Sequence, residues 1–258
     1  MDWLPHFYKP LVAAGYQVIR YDNRGVGQSS RLKDWGKPDK YTLEDMALDG
    51  IAILDSLGIQ KAHIIGQSMG GMIGQRLAIS HSERVLSLTS MISSGYFYDP
   101  QLVNVPRPFL ANLMRLLIRH KPAKSSETER LKYHIGIHYM LKGKGDYPAE
   151  EDKMLQRILY ELRNRGGFHY KGADQHSHAI KASGSRYEEL KQLQVPTLVI
   201  HGTTDTLIKF PHAPKYAAMI PNATTLFIEG MGHDLPRVHM EAMMEAIFEN
   251  FSIVKLSA

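Results

Sequence analysis

The sequence predicts an α/β fold: a mostly parallel sheet with helices on both faces and one helical insertion. Three observations carry this. Short apolar runs rich in Val, Ile and Leu recur along the chain, and helical periodicity follows most of them. These runs are predominantly apolar and alternate with helices, as strands of a parallel sheet covered on both faces do. The alternation then stops between about residues 95 and 193, where only helical patterns remain.

Taken in order, "YQVIRYD" at 16–22 reads as the first strand and "NRGVGQS" as the turn after it. In "YTLEDMALDGIAILDSLG", Leu43, Met46, Ala47, Ile51, Leu54 and Leu57 fall at helical spacing. Thr42 and Asp45 make a capping pair at the start of that helix, and Gly58 suits its end. "KAHIIG" is a strand and "GGMIGQRLAISH" a helix, and "RVLSLTSMIS" is again a strand. "VPTLVIHG" and "TTLFIEG" add two more strands. A final amphipathic helix places Met240, Met243, Met244, Ile247 and Phe251 on one side. Between them, "PFLANLMRLLIRH" and "KMLQRILYELRNR" are helical, with no convincing strand nearby. The expected organisation is a core of residues 1–94 and 194–258, with residues 95–193 inserted as a helical lid.

Composition narrows the function classes. The 258 residues are 43% hydrophobic and 22% charged, which is ordinary for a globular chain. No apolar run approaches the ~20 residues of a membrane span, and the opening residues lack the charged-then-apolar order of a secretory signal. Zero cysteines exclude disulfides and thiolate metal sites, and a cytoplasmic location is expected. The net charge of +5 is concentrated in the insertion, where 107–191 carries 17 Lys and Arg against 10 Asp and Glu. These bases alternate with acids instead of forming a run with interleaved aromatics, so solvated helix faces are expected and nucleic-acid binding is not. Nothing in the sequence calls for a cofactor or metal, and oligomeric state is not legible.

The chemistry is expected at the carboxyl ends of the strands. Ser68 lies in Gly66-Gln67-Ser68-Met69-Gly70, a G-x-S-x-G between a strand and a helix. A sharp strand-to-helix turn crowds the flanking backbone and exposes the serine hydroxyl at a helix N-terminus. The Met69 N–H is then placed to stabilise an oxyanion. Asp205 follows "PTLVIHG" and His233 follows "TTLFIEG", so Ser, Asp and His each lie beyond a separate strand. In this arrangement His233 takes the serine proton, and Asp205 sets the imidazole tautomer and steadies its cation. Asp234 is a rival acid, but as the neighbour of His233 it is expected to point away. The residues immediately after "TSMIS" offer no carboxylate.

Together "GYQVIRYDNRGVGQSS", "GQSMGG", "VPTLVIHGTTD" and "EGMGHDLP" resemble landmarks of the α/β-hydrolase superfamily across essentially the whole chain. More loosely, the chain resembles bacterial esterases of the aclacinomycin methylesterase and haloperoxidase (perhydrolase) type. The resemblance implies a serine hydrolase that cleaves a small-molecule carboxylic ester or related acyl compound through an acyl-enzyme. It leaves open perhydrolysis, acyl transfer or C–C hydrolysis with the same three residues, or a non-catalytic ligand-binding protein on the same scaffold. It also implies that Asp22 and Arg24 fix the "DNRGVGQS" loop and take no part in the chemistry.

One departure stands out. The family opens with further strands and an "HG"-type loop that supplies a second oxyanion donor, and the resemblance begins here just after that loop. The expectation is a chain N-terminally truncated relative to the family, without the strand that separates "YQVIRYD" from "KAHIIG". Those two strands would then pair directly, or another segment would fill the gap, or the sequence is a fragment. Loss of one oxyanion donor typically costs about 10²–10³ in rate, so slow turnover is expected of residues 1–258 as they stand.

Overall fold

The computed structural model describes residues 3–31, 40–103, 105–122, 125–165 and 170–253. In chain order the elements are α1 (Pro5–Ala13), α2 (Leu43–Ser56), β1 (Ala62–Gln67), α3 (Met69–Ser80) and β2 (Val85–Met91). Then come α4 (Arg107–His120), α5 (Glu127–Leu141), α6 (Glu151–Asn164), α7 (Tyr170–Ala182) and α8 (Tyr187–Leu190). The chain continues with β3 (Thr197–Gly202), α9 (His212–Ala217), β4 (Thr224–Ile228) and α10 (Met240–Ser252).

The four strands are all parallel, in the order β1-β2-β3-β4. Their side chains alternate between two apolar layers, as the pleat requires. Ile64, Leu88, Val199 and Phe227 face a layer shared with α2, α3 and α9. Ile65, Met91, Leu198, Ile200 and Ile228 face the opposite layer, shared with α1 and α10. Helices therefore cover both faces. The central strands β2 and β3 are almost wholly buried, and the polar Ser87 and Ser90 buried within β2 are hydrogen-bonded to His63 and Gln75.

The caps follow the sequence signals. Thr42 and Asp45 form a reciprocal capping box at the start of α2. Gly58, at φ +68°, takes the left-handed position just past that helix's end. On α10 the expected stripe of Met240, Met243, Met244, Ile247 and Phe251 is buried against the sheet.

Residues 16–22 depart from expectation, because they form no strand. Tyr16 and Val18 pack against the α1/α10 layer, and the Tyr16 ring lies 5.2 Å from that of Phe251. Their backbone joins no ladder, and β1 pairs with β2 alone among the described strands. Strand propensity measures fit to a half-buried surface. This segment attains its partial burial through side chains and has no ladder partner among the described residues. The direct pairing of 16–22 with β1 is thus not formed.

Helices α4–α7 lie between β2 and β3 in the chain, and the described residues of 95–193 contain no strand. Met154, Ile158 and Leu162 of α6 make a small cluster with Leu131 and Ile135 of α5, apart from the two sheet layers. Arg165, after α6, forms an ion pair with Asp22.

Candidate active site

The strand-to-helix turn between β1 and α3 holds Ser68 at φ 55° and ψ −121°, a conformation that L-residues rarely adopt. Two hydrogen bonds hold the turn from below. The Ser68 N–H donates to the Met91 carbonyl at 2.8 Å, and the Ser93 hydroxyl donates to the Ser68 carbonyl at 2.8 Å. A Cβ on Gly66 would lie 2.1 Å from the Gly70 carbonyl oxygen, so this position must be glycine for α3 to start so close to β1. The crowding expected at Gly70 is instead found one residue later. A Cβ on Gly70 would meet nothing within 4 Å, whereas one on Gly71 would come within 2.7 Å of Ser93. Met69 is the first residue of α3. Its N–H is therefore among those without an intrahelical acceptor.

Asp205 lies in the loop after β3 and is only 1% exposed. Its Oδ1 accepts hydrogen bonds from the Leu207 and Ile208 N–H groups, each at 2.8 Å. Its Oδ2 lies 2.7 Å from Nδ1 of His233, in the loop after β4. On the other side of that ring, Nε2 lies 3.0 Å from the Ser68 Oγ. A carboxylate can only accept, so Nδ1–H of His233 donates to Asp205 and Nε2 is left to accept the serine proton. The three residues expected from the sequence are thus joined in one line of hydrogen bonds. Gly202 lets the two loops meet, since a Cβ there would fall 2.2 Å from the Met231 carbonyl oxygen.

Asp234 faces away from this line. Its carboxylate accepts from the Tyr147 hydroxyl at 3.0 and 3.1 Å and from the Gly232 N–H at 3.1 Å. Burial raises the Asp234 carboxyl above its ordinary value, and burial together with this carboxylate lifts the Tyr147 phenol to about 12. Arg24 is held by both carboxylate oxygens of Asp49 at 2.6 Å, and the Asp22 carboxylate accepts from the Gln28 N–H at 3.0 Å. Both residues brace their loop.

One residue was not signalled by any motif. His201, fully buried in β3, lies with Nε2 2.9 Å from the Ile208 carbonyl and 3.4 Å from Asp205 Oδ2. Burial holds its pKa below the ordinary value, so it stands neutral behind the acid and pins the loop that donates to Asp205. Only its four-residue separation from Asp205 hinted at this. Among the described residues no group of three or more His, Asp and Glu is placed to hold a metal ion. No helix among them is long and apolar enough to cross a membrane.

A family model described as the alpha/beta hydrolase fold matches residues 2–237. The chain belongs to the α/β-hydrolase family. Among its α/β-hydrolase relatives is the rhodomycin D methylesterase DnrP of Streptomyces peucetius. That protein is 33% identical over 258 aligned positions, covering 95% of this chain and 85% of the relative. A 2-hydroxymuconate semialdehyde hydrolase of Pseudomonas putida is 28% identical over 91% of this chain and 76% of its own. Among solved α/β-hydrolases, a bromoperoxidase from Bacillus anthracis superposes with a TM-score of 0.72 at 24% identity. That alignment covers 96% of this chain and 86% of the bromoperoxidase.

Proposed function

We propose that this α/β-hydrolase is a serine esterase that cleaves a small-molecule carboxylic ester, a methyl ester foremost, through an acyl-enzyme. The observation that carries the reading is the continuous line from Ser68 Oγ through both nitrogens of His233 to Asp205, at 3.0 and 2.7 Å. Ser68 attacks the ester carbonyl as His233 Nε2 takes its proton. Asp205, held by three N–H donors, stabilises the imidazolium and keeps the ring turned toward the serine. The Met69 N–H donates to the oxyanion of the tetrahedral intermediate. His233 then protonates the departing alkoxide. Water, deprotonated by the same histidine, releases the acid and restores Ser68. The helical insertion of residues 95–193 acts as the lid that selects the acyl group. The methylesterase relative supports a methyl ester as the first substrate to try.

A second reading, hydrolysis of a C–C bond next to a carbonyl, draws on the 2-hydroxymuconate semialdehyde hydrolase relative. Assays with aryl methyl esters, p-nitrophenyl acetate and a ring-cleavage dienoate separate the two, and a fluorophosphonate probe reports the nucleophile. Ester turnover and labelling are expected to vanish in Ser68→Ala. In Asp205→Asn, kcat is expected to fall by about 10³–10⁴. Full activity in Ser68→Ala would sink both readings, and turnover of the dienoate alone would select the second.

A further inference from the structure

We infer that residues 140–147, where the chain leaves α5, form a positioning strap that holds the His233 and Asp205 loops in register for catalysis. This rests on the roles proposed above for Ser68, His233 and Asp205. The chain crosses both loops here and is bonded to each. The His233 N–H donates to the Leu141 carbonyl at 2.8 Å, and the Gly145 N–H donates to the Gly230 carbonyl at 2.8 Å. The Thr206 hydroxyl, next to Asp205, donates to the Met140 carbonyl at 2.7 Å. Thr204 joins all three segments: its Oγ1 accepts from the Lys144 N–H at 2.9 Å and lies 2.8 Å from the Gly230 carbonyl oxygen.

The contact is backbone on backbone, which only glycine permits. A Cβ on Gly143 would lie 2.1 Å from the Gly230 oxygen and 2.3 Å from the Gly232 nitrogen. One on Gly232 would lie 2.2 Å from the Gly143 nitrogen and 2.4 Å from the Leu141 oxygen. Four residues on from Gly143, Tyr147 accepts from the Gly143 N–H at 2.9 Å and holds Asp234 by its hydroxyl. The strap thereby fixes the backbone of His233 and anchors the neighbouring carboxylate to its own tyrosine. The insertion carries part of the machinery that aims the general base, as well as whatever it contributes to substrate choice.

The test is Gly143→Ala, assayed with p-nitrophenyl acetate and by the rate of fluorophosphonate labelling. Relieving a 2.1 Å approach to backbone displaces the strap by about an ångström, which is expected to lower kcat by about tenfold to a hundredfold, with KM within about twofold of wild type. The discriminating readout is a cycle with His233→Ala. In that background Gly143→Ala should leave the residual labelling rate unchanged within about twofold, because the strap acts through His233. An equal loss in both backgrounds, or wild-type kcat in a folded Gly143→Ala, would overturn the inference. Should Gly143→Ala not fold, the near-isosteric Thr204→Val runs the same cycle. Valine removes both the bond from Lys144 and the bond to Gly230, so the expected loss is about fivefold or more, and no loss overturns the strap. Inactive Ser68→Ala beside unaffected strap variants rejects the strap alone. Active Ser68→Ala rejects the esterase and the strap together.

Discussion

Replacing Ser68 by glycine and, separately, by alanine isolates the backbone strain at the turn. Both changes remove the hydroxyl and its 3.0 Å contact with His233, so that loss cancels between them. What differs is the Cβ, which alanine keeps at φ 55° and ψ −121° and glycine does not. Holding an L-residue in so sparse a region costs about 1–3 kcal/mol. Glycine gives back about 0.4–1 kcal/mol through the greater freedom of its unfolded chain. Ser68→Gly is therefore expected to be more stable than Ser68→Ala by about 1 kcal/mol, or about 2–4 °C in Tm for a domain of this size. Urea unfolding with a common m-value, checked by calorimetry, measures the difference. Equal stabilities, or a more stable alanine variant, would refute the claim that the turn is strained by its side chain.

The glycines of the same turn predict an asymmetry. Gly66→Ala drives a Cβ to 2.1 Å from a fixed carbonyl and is expected to cost about 3 kcal/mol and most of the activity. Gly70→Ala, which meets nothing within 4 Å, should unfold within about 0.5 kcal/mol of wild type. Thermal melts of the two variants check this, and similar losses would contradict it. Acid should weaken the fold through its buried and half-buried histidines. His6, His138, His176, His201 and His212 are all held below the ordinary value of 6.5 by burial. Their stabilisation is complete above pH 6.5 and is lost as pH falls toward their folded values, because the unfolded chain takes up the protons first. Asp234, raised by burial, opposes this as a single group. Tm measured from pH 8 to 5 should fall below pH 6.5, and less steeply in His201→Gln. A Tm that is flat or rising on acidification would contradict the assignment.

How far the molecule was legible differs from element to element. β1 to β4, the capping box on α2 and the stripe of α10 could be read directly, because side-chain period, caps and glycines act over a few residues. The same holds for Ser68 at a strand-to-helix boundary, and for Asp205 and His233 beyond later strands. Parallel topology brings strand ends to one edge, so order along the chain carried their proximity. Residues 16–22 misled because their composition reports burial, and burial without a paired neighbour makes no strand. Which glycine is crowded was also beyond reach, since Gly70 and Gly71 differ only in whether Ser93 approaches.

The sequence by itself determined the α/β alternation, the helical insertion and the three side chains of the candidate site, all through local pattern and chain order. Tertiary structure alone decided that Tyr147 holds Asp234 away from His233, that His201 stands behind Asp205, and that residues 140–147 bind both loops. These contacts mostly join residues tens of positions apart, through backbone atoms and buried ring nitrogens that leave no periodic trace. A carbonyl such as that of Leu141 has the same chemistry in every residue, and only the fold places it against His233.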